Sequence, residues 1–144
     1  MLVMLTGSEI SSFLRKARNF GGVYSIDNLP TIISKPSSFI INLDASHKPG
    51  SHWTAVAFST RSAIYFDSYG RPPPDEILTF IERNSRQYEY SKLKYQGNDS
   101  TACGYFCMLF VSMANKRAFF KLLKDCNHKA NDHVIYKKLK TLIK

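Results

Sequence analysis

The chain has 144 residues, a length that predicts one domain and suffices to bury a hydrophobic core. Its composition is that of an ordinary globular protein, 44% hydrophobic and 22% charged, and no apolar run approaches the roughly 18 residues that span a bilayer. Three scattered cysteines and an N-terminus without the basic region of a signal peptide predict an intracellular protein that does not contact a membrane.

Positive charge is concentrated at the C-terminal end of the chain. The formal net charge is +9, and seven of these net charges lie in residues 115–144, where nine Lys or Arg face two Asp. This basic tail predicts an acidic partner such as nucleic acid. A solvated helix face explains the same pattern, so both interpretations stay open at this point.

The first predicted elements are a helix and an extended segment. Apolar residues recur at helical spacing over residues 8–18, with Ser8 as the expected N-cap. Gly21 and Gly22 are expected to end this helix. The stretch VYSIDNLP follows as an extended segment that closes with a turn at residues 28–30.

Three runs of β-branched and aromatic residues come next and predict strands: SFIINLD (38–44), WTAVAFS (53–59) and SAIYFD (62–67). Only a short polar turn around Thr60 and Arg61 separates the last two, so they are expected to form a hairpin. Both are apolar on both faces, which predicts central strands covered on each side.

The second half of the chain is predicted to be mainly helical. RPPPDEILTFIERN begins a helix with Pro74 at its first position, and YEYSKLKY (88–95) alternates like a further strand. An apolar helix is expected from Cys103 to about residue 115, followed by one or two amphipathic helices in the basic tail. The predicted fold class is α+β, a central mixed β-sheet flanked by helices in a single domain over residues 1–144.

The segment YQGNDSTACGYFC (95–107) places Cys103 after a small polar turn and at the start of the predicted apolar helix. A helix N-terminus favours the thiolate form of a cysteine, which is the nucleophilic form. We therefore predict that Cys103 is a nucleophile and that Cys107, among apolar side chains, is a packing residue. A zinc site built from Cys103, Cys107, Cys126, His128 and His133 would have no common ligand spacing, so no metal is predicted.

A cysteine nucleophile requires a base and a group that orients the base. Of the four histidines, His52 immediately precedes the first hairpin strand, and Asp67 ends the second. If the turn centres between Thr60 and Arg61, Asp67 faces Thr54 and His52 becomes its diagonal neighbour on the same side of the sheet. A slip of one residue would put the two side chains on opposite faces.

The developing oxyanion requires hydrogen-bond donors. Gln96 is expected to end the strand of residues 88–95 and lies seven residues before Cys103. Its side-chain amide can donate beside the backbone N–H of Cys103, an arrangement suited to the tetrahedral intermediate of acyl transfer.

These motifs carry a resemblance to a known family. GSHW, IYFDSYG and YQGNDSTACGYFC resemble the motifs of the adenovirus-type proteinases (adenain) and, more distantly, those of the SUMO-specific protease clan. The N-terminal stretch up to Pro30 is also similar to the opening of the adenovirus enzymes, so the resemblance extends to about residue 116. It implies a papain-like cysteine protease fold with His52 as general base, Asp67 as its orienting group, Gln96 as oxyanion donor and Cys103 as nucleophile. It further implies that Trp53 flanks a narrow channel for a glycine-rich cleavage site.

The resemblance also implies the biological setting. It predicts an endopeptidase, monomeric and without a cofactor for its chemistry, that cleaves viral structural precursors after small residues in the host nucleus or virion. The family's activation by DNA is compatible with the basic tail, whereas residues 68–95 lack the cysteine that joins an activating peptide in adenovirus enzymes. The alternatives are a protease that removes ubiquitin-like modifiers and, outside catalysis, a basic nucleic-acid-binding module.

Overall fold

The computed structural model describes residues 3–47, 52–98, 100–125 and 127–142. It contains five helices and five strands within those ranges. The helices are α1 (Gly7–Leu14), α2 (Asp75–Asn84), α3 (Cys103–Ser112), α4 (Lys116–Lys121) and α5 (His128–Leu142). The strands are β1 (Phe20–Ser25), β2 (Ser37–Asn42), β3 (Trp53–Phe58), β4 (Ser62–Phe66) and β5 (Gln87–Tyr90).

One mixed sheet organises the fold, with its strands in the order β1-β2-β3-β4-β5. The outer pairs β1–β2 and β4–β5 are parallel, and the inner pairs β2–β3 and β3–β4 are antiparallel. The expected α+β class with a central mixed sheet is therefore confirmed. No helix in the described ranges is both long and apolar enough to cross a bilayer.

Two apolar cores cover the two faces of the sheet, as the apolar character of β3 and β4 predicts. The larger core contains Phe66 and Phe110 and joins α1, α3, α4 and α5 to one face. The smaller core packs α2 on the other face through Ile77, Phe80 and Ile81. Because α3 lies in the larger core directly against β3, its first residue, Cys103, comes next to the residues that begin β3.

The β3–β4 hairpin has the register that the sequence predicted. Ala55 pairs with Phe66 and Phe58 pairs with Ala63, and the backbone N–H of Ser59 donates to the carbonyl of Ser62 across the turn. Continued one step, this register sets Thr54 opposite Asp67. The side chains that flank the open end of the hairpin are therefore brought to one side of the sheet.

Four predictions about local structure were wrong. The first helix begins after Thr6, not Ser8, because Thr6 and Glu9 form a reciprocal capping box, and it ends at Leu14. Gly21 and Gly22 belong to β1, where a Cβ atom at Gly21 would come within 2.3 Å of the Phe39 ring.

The other two corrections concern later elements. Pro74 is the N-cap of α2, one position earlier than predicted. The predicted strand of residues 88–95 stops at Tyr90, because the backbone N–H groups of Tyr95 and Gln96 both turn to the carbonyl of Ser68. Gln96 thus lies in a loop held against the end of β4.

Candidate active site

His52 and Asp67 form a buried hydrogen-bonded pair at the open end of the β3–β4 hairpin. His52 Nε2 lies 2.7 Å from Asp67 Oδ1, and the two side chains are 9% and 1% exposed. The same carboxylate oxygen accepts the backbone N–H of Tyr69 at 2.8 Å. The turn that follows β4 therefore holds the Asp67 carboxylate in place, and the carboxylate orients the imidazole of His52.

Cys103 completes the group from a third element. It is the first residue of α3 and is 2% exposed, and its sulfur accepts the backbone N–H of Trp53 at 3.4 Å. An interaction with the Cys103 side chain is one of the causes that raise the pKa of His52. Nε2 of His52 contacts Asp67, so Nδ1 is the ring nitrogen left to exchange a proton with the sulfur.

The environment of His52 favours its protonated form. Burial lowers the pKa of this imidazole, but hydrogen bonds to Asp67 and Cys103, together with their negative charges, raise it to about 9. At neutral pH the ring therefore carries a proton beside the sulfur. A cation in that position stabilises negative charge on the sulfur, and its proton is available for transfer to a leaving group.

The first turn of α3 offers further donors. The backbone N–H groups of a helix's first turn have no partner within the helix. Ala102 is the N-cap, and no side chain in the described part of the chain caps it. The N–H of Cys103 is one of these groups, and a donor on the nucleophilic residue itself is suited to stabilising an oxyanion.

Gln96 is fully buried, and both the oxygen and the nitrogen of its side-chain amide form hydrogen bonds. Its Oε1 accepts the Ser68 hydroxyl at 2.5 Å, and its Nε2 donates to the Ser100 carbonyl at 2.8 Å. Ser68 directly follows Asp67, and Ser100 lies three residues before Cys103. One of the two Nε2 hydrogens is used in this way, so the second remains available as a donor.

Trp53 lies beside the nucleophile and lines a cavity. It is 8% exposed, and its indole N–H donates to the Leu5 carbonyl at 3.0 Å. The cavity measures about 680 Å³ and extends over α1, β1 and the loop after β2. Gly104 allows α3 to pack closely against Trp53 and Leu5, because a Cβ atom at this position would lie 3.3 Å from the Trp53 ring and 3.2 Å from Leu5.

Cys107 and the other described histidines lie outside this group. Cys107 is completely buried, and burial raises the pKa of its thiol well above the ordinary value, as expected of a packing residue. His133 is exposed on α5, and Cys126 lies outside the described residues. Within the described ranges, no group of three or more His, Cys, Asp or Glu side chains could hold a metal ion.

Known proteins similar to the chain are viral proteases. It is 30% identical over 98 residues to the protease of porcine adenovirus A serotype 3, a match covering 51% of the chain and 44% of that protein. It is 27% identical over 86 residues to the cysteine protease S273R of African swine fever virus, covering 50% of the chain and 31% of the viral protein. The chain is thus similar in sequence to viral proteases, one of them a cysteine protease.

The fold agrees with this relationship. The crystal structure of the African swine fever virus pS273R protease superposes with a TM-score of 0.62, at 18% identity over 94% of the chain and 66% of the viral structure. A selenomethionine form of the same protease gives a TM-score of 0.53 over 71% of the chain and 42% of the viral structure. No protein-family model matches the chain.

The viral relatives are longer than the chain. The stretches matched in sequence cover less than half of each viral protease. A candidate thiol protease of Acanthamoeba polyphaga mimivirus, R355, is matched over 60% of the chain and 32% of its own length, at 31% identity.

Three residues that contact the group were not predicted from the sequence. Tyr69 stacks on His52 with ring centroids 4.5 Å apart and an interplanar angle of 18°. Ser68 and Ser100 hold Gln96. Ser68 and Tyr69 directly follow Asp67, but on sequence grounds a serine and a tyrosine in a turn are equally consistent with a surface loop.

Proposed function

We propose that the chain is a cysteine endopeptidase with Cys103 as nucleophile, His52 as its acid–base partner, Asp67 as the group that positions His52, and Gln96 as an oxyanion donor. One observation carries the proposal: the buried His52–Asp67 pair adjoins Cys103, which begins a helix and whose sulfur accepts the backbone N–H of the residue after His52. This is the geometry that nucleophilic catalysis by a cysteine requires. The sequence relationship to viral cysteine proteases gives independent support.

In the first step the Cys103 thiolate attacks the carbonyl carbon of the scissile peptide. A C–S bond forms, and the π electrons of the carbonyl move to its oxygen. The second hydrogen of Gln96 Nε2 and the N–H of Cys103 stabilise the resulting oxyanion.

In the second step the intermediate collapses and the C–N bond breaks. The His52 imidazolium gives its proton to the leaving nitrogen, and a thioester on Cys103 remains. Neutral His52 then takes a proton from water as this water attacks the thioester, which releases the carboxylic acid and restores the starting pair. Throughout, Asp67 holds the ring and stabilises the imidazolium.

The proposed substrate is a protein with glycine or another small residue before the scissile bond. The small exposed fractions of Cys103 and Trp53 support this, since a narrow approach to the sulfur disfavours bulky side chains. We assign the adjoining cavity beside Trp53 to the residues that precede the cleavage site. By analogy with the viral relatives, the proposed substrates are structural precursors cleaved in the host nucleus or the virion.

The first test uses thiol reactivity and turnover together. Cys103→Ala is expected to abolish cleavage of a peptide with a Gly-Gly site, whereas Cys107→Ala is expected to cleave it. In the wild type, brief alkylation at about pH 6 followed by mass spectrometry is expected to modify Cys103 before Cys107, because burial raises the pKa of the Cys107 thiol well above its ordinary value. Normal turnover by Cys103→Ala would refute the proposal.

A second experiment separates the two substrate classes. Probes with a ubiquitin-like module ending in a Gly-Gly electrophile would label Cys103 if the chain removes such modifiers. Efficient cleavage of short Gly-Gly peptides without labelling by any probe of the panel is expected for precursor processing. Labelling that competes with peptide cleavage would favour the deconjugating activity.

Nucleic acid is proposed as a partner and activator through the basic C-terminal helices. Lys137 and Lys138 are exposed on α5, whereas Ile135 and Leu139 of the same helix are buried. Reversing both lysines to Glu is therefore expected to weaken DNA binding and its salt dependence without disrupting the core. Equal DNA affinity of this variant and the wild type would refute the proposal. A peptide activator is the alternative to DNA in this role.

A further inference from the structure

A cluster of three cations borders the candidate active site on the side of Tyr69. The guanidinium of Arg71 lies 4.9 Å from the centroid of the Tyr69 ring, and Lys94 Nζ lies 5.7 Å from the same centroid. Lys92 Nζ lies 5.9 Å from the ring of Tyr90 on the same segment. These three residues are here named the basic rim.

The basic rim is built on a fixed backbone. Gly70 has φ +77°, and a Cβ atom there would lie 2.7 Å from the carbonyl oxygens of both Lys92 and Leu93. The turn after β4 and the segment after β5 are therefore in close backbone contact. In the sequence, Arg71 directly precedes the three prolines that lead into α2. The fold places it beside Lys92 and Lys94.

The charges of the basic rim are not neutralised within the described part of the chain. The ion pair found there is His52–Asp67, and none of the three rim cations takes part in it. Lys94 donates to the amide oxygen of Asn98, which carries no charge. Arg71 and Lys92 are exposed. The basic rim is therefore able to bind an anionic group from solution.

The position of the rim relative to His52 indicates which part of a substrate it meets. Tyr69 stacks on the imidazole of His52, and the guanidinium of Arg71 lies over the Tyr69 ring. One aromatic ring therefore contacts both His52 and the first cation of the basic rim. In the proposed reaction His52 protonates the leaving nitrogen, so the residues attached to that nitrogen lie on its side of the site. An extended chain advances about 3.3–3.6 Å per residue, which brings the first three of those residues within reach.

We propose that the basic rim is a specificity subsite for an acidic side chain within the first three residues after the scissile bond. This inference rests on the proposed protease function and extends it to the leaving-group side. The Arg71 guanidinium lies over the Tyr69 ring, a placement that suits pairing of its N–H groups with a carboxylate. Lys92 and Lys94 add charge that attracts the same group.

The test compares peptides that share one Gly-Gly site and carry Asp, Ala or Lys at each of the three following positions. An exposed ion pair changes an equilibrium constant by about two- to fivefold, so we expect Asp to exceed Lys by about tenfold in kcat/KM at the best position. The preference is expected to decrease at high salt, since these cations are exposed. Equal kcat/KM values for the Asp and Lys peptides would overturn the inference.

A charge-reversal variant identifies the residues responsible. Arg71→Glu with Lys92→Glu is expected to reverse the preference in favour of Lys. The control, Arg15→Glu with Lys16→Glu, makes the same change in net charge on exposed residues near the start of β1, at the opposite end of the sheet from Trp53. This control is expected to keep the preference for Asp, and loss of the preference in the control alone would overturn the assignment.

A binding measurement separates failure of this inference from failure of the proposed function. Fluorescence anisotropy with Cys103→Ala is expected to show tighter binding of the Asp peptide than of the Lys peptide, whether or not the wild type cleaves either. Selective binding without turnover would refute the protease and retain the subsite. Equal binding of both peptides, combined with rim-dependent binding of a DNA oligonucleotide, would overturn the inference in favour of a nucleic-acid surface.

Discussion

Tyr69 stacks nearly parallel on His52, with 4.5 Å between the ring centroids and 18° between the ring planes. The backbone N–H of the same tyrosine donates to Asp67 Oδ1, the oxygen that also contacts His52. One residue therefore restrains both members of the pair. The Tyr69 ring restrains the imidazole of His52 by stacking, and the Tyr69 backbone N–H restrains the carboxylate of Asp67 by a hydrogen bond.

This arrangement predicts that Tyr69 is a positioning residue. Tyr69→Phe keeps the stacked ring and is expected to retain kcat within about twofold. Tyr69→Ala removes the ring and is expected to lower kcat by about two- to tenfold, the range of an aromatic contact, with a smaller effect on KM. A loss of the same size in the Phe variant would instead assign the effect to the hydroxyl group.

The elevated pKa of His52 predicts a specific dependence of stability on pH. The folded-state pKa of about 9 lies above the ordinary value of 6.5, so protonation of His52 stabilises the folded state fully below about pH 6.5. This contribution, of the order of 3 kcal/mol, is expected to be lost as the pH rises through about 9. Urea unfolding at several pH values measures it.

The control for this prediction is Asp67→Asn. Removing the carboxylate removes the largest contribution that raises the pKa of His52, so the decrease in unfolding free energy between about pH 6.5 and 9 is expected to become much smaller. Parallel curves for the variant and the wild type would show that another group titrates in this range.

Gln96→Ala is expected to lower kcat by about 10²- to 10³-fold, the usual cost of removing one oxyanion donor. Its partners, the buried Ser68 and the half-buried Ser100, lose their amide contacts, so unfolding must be measured in parallel. Gln87→Ala, at an exposed glutamine in β5, serves as the matched control and is expected to leave kcat unchanged. A folded Gln96→Ala variant with normal kcat would remove this residue from the proposed mechanism.

Gly70→Ala is expected to be strongly destabilising, by at least about 1–3 kcal/mol. The residue has φ +77°, and the new Cβ atom would lie 2.7 Å from two carbonyl oxygens. Gly7→Ala is the matched control, since its Cβ atom would meet Trp53 and Val23 at an ordinary 3.5 Å in a helix. Thermal unfolding of the two variants is expected to differ accordingly, and equal melting temperatures would contradict the prediction.

The hairpin shows what could be predicted from the sequence. The polar turn at Thr60–Arg61 and the lengths of the flanking apolar runs determine a register, and the register alone brings Asp67 beside His52. This inference succeeded because the short turn fixes which residues pair, and side chains alternate between the two faces of a strand.

The loop that carries Gln96 shows where such reasoning failed. The alternation in residues 88–95 predicts a strand up to Gln96, but Tyr95 and Gln96 leave the sheet to bind the carbonyl of Ser68. The contact between Ser68 and Gln96 joins positions 28 residues apart and depends on the turn after β4. A local sequence pattern cannot predict such a long-range contact. The same applies to α5, whose Asn131 donates to the Tyr95 carbonyl, so the predicted basic tail is in part a support for this loop.

The three members of the candidate site differ in how far apart they lie along the chain. His52 and Asp67 are 15 residues apart and belong to one hairpin, whereas the sulfur of Cys103 meets the backbone of Trp53 across 50 residues. Closing the longer loop costs more conformational entropy, so we expect the imidazole–carboxylate pair to form early in folding and the thiol to arrive late. A partly folded copy would then carry an acid–base pair without a nucleophile, and the proposed peptidase activity would begin only when folding is complete.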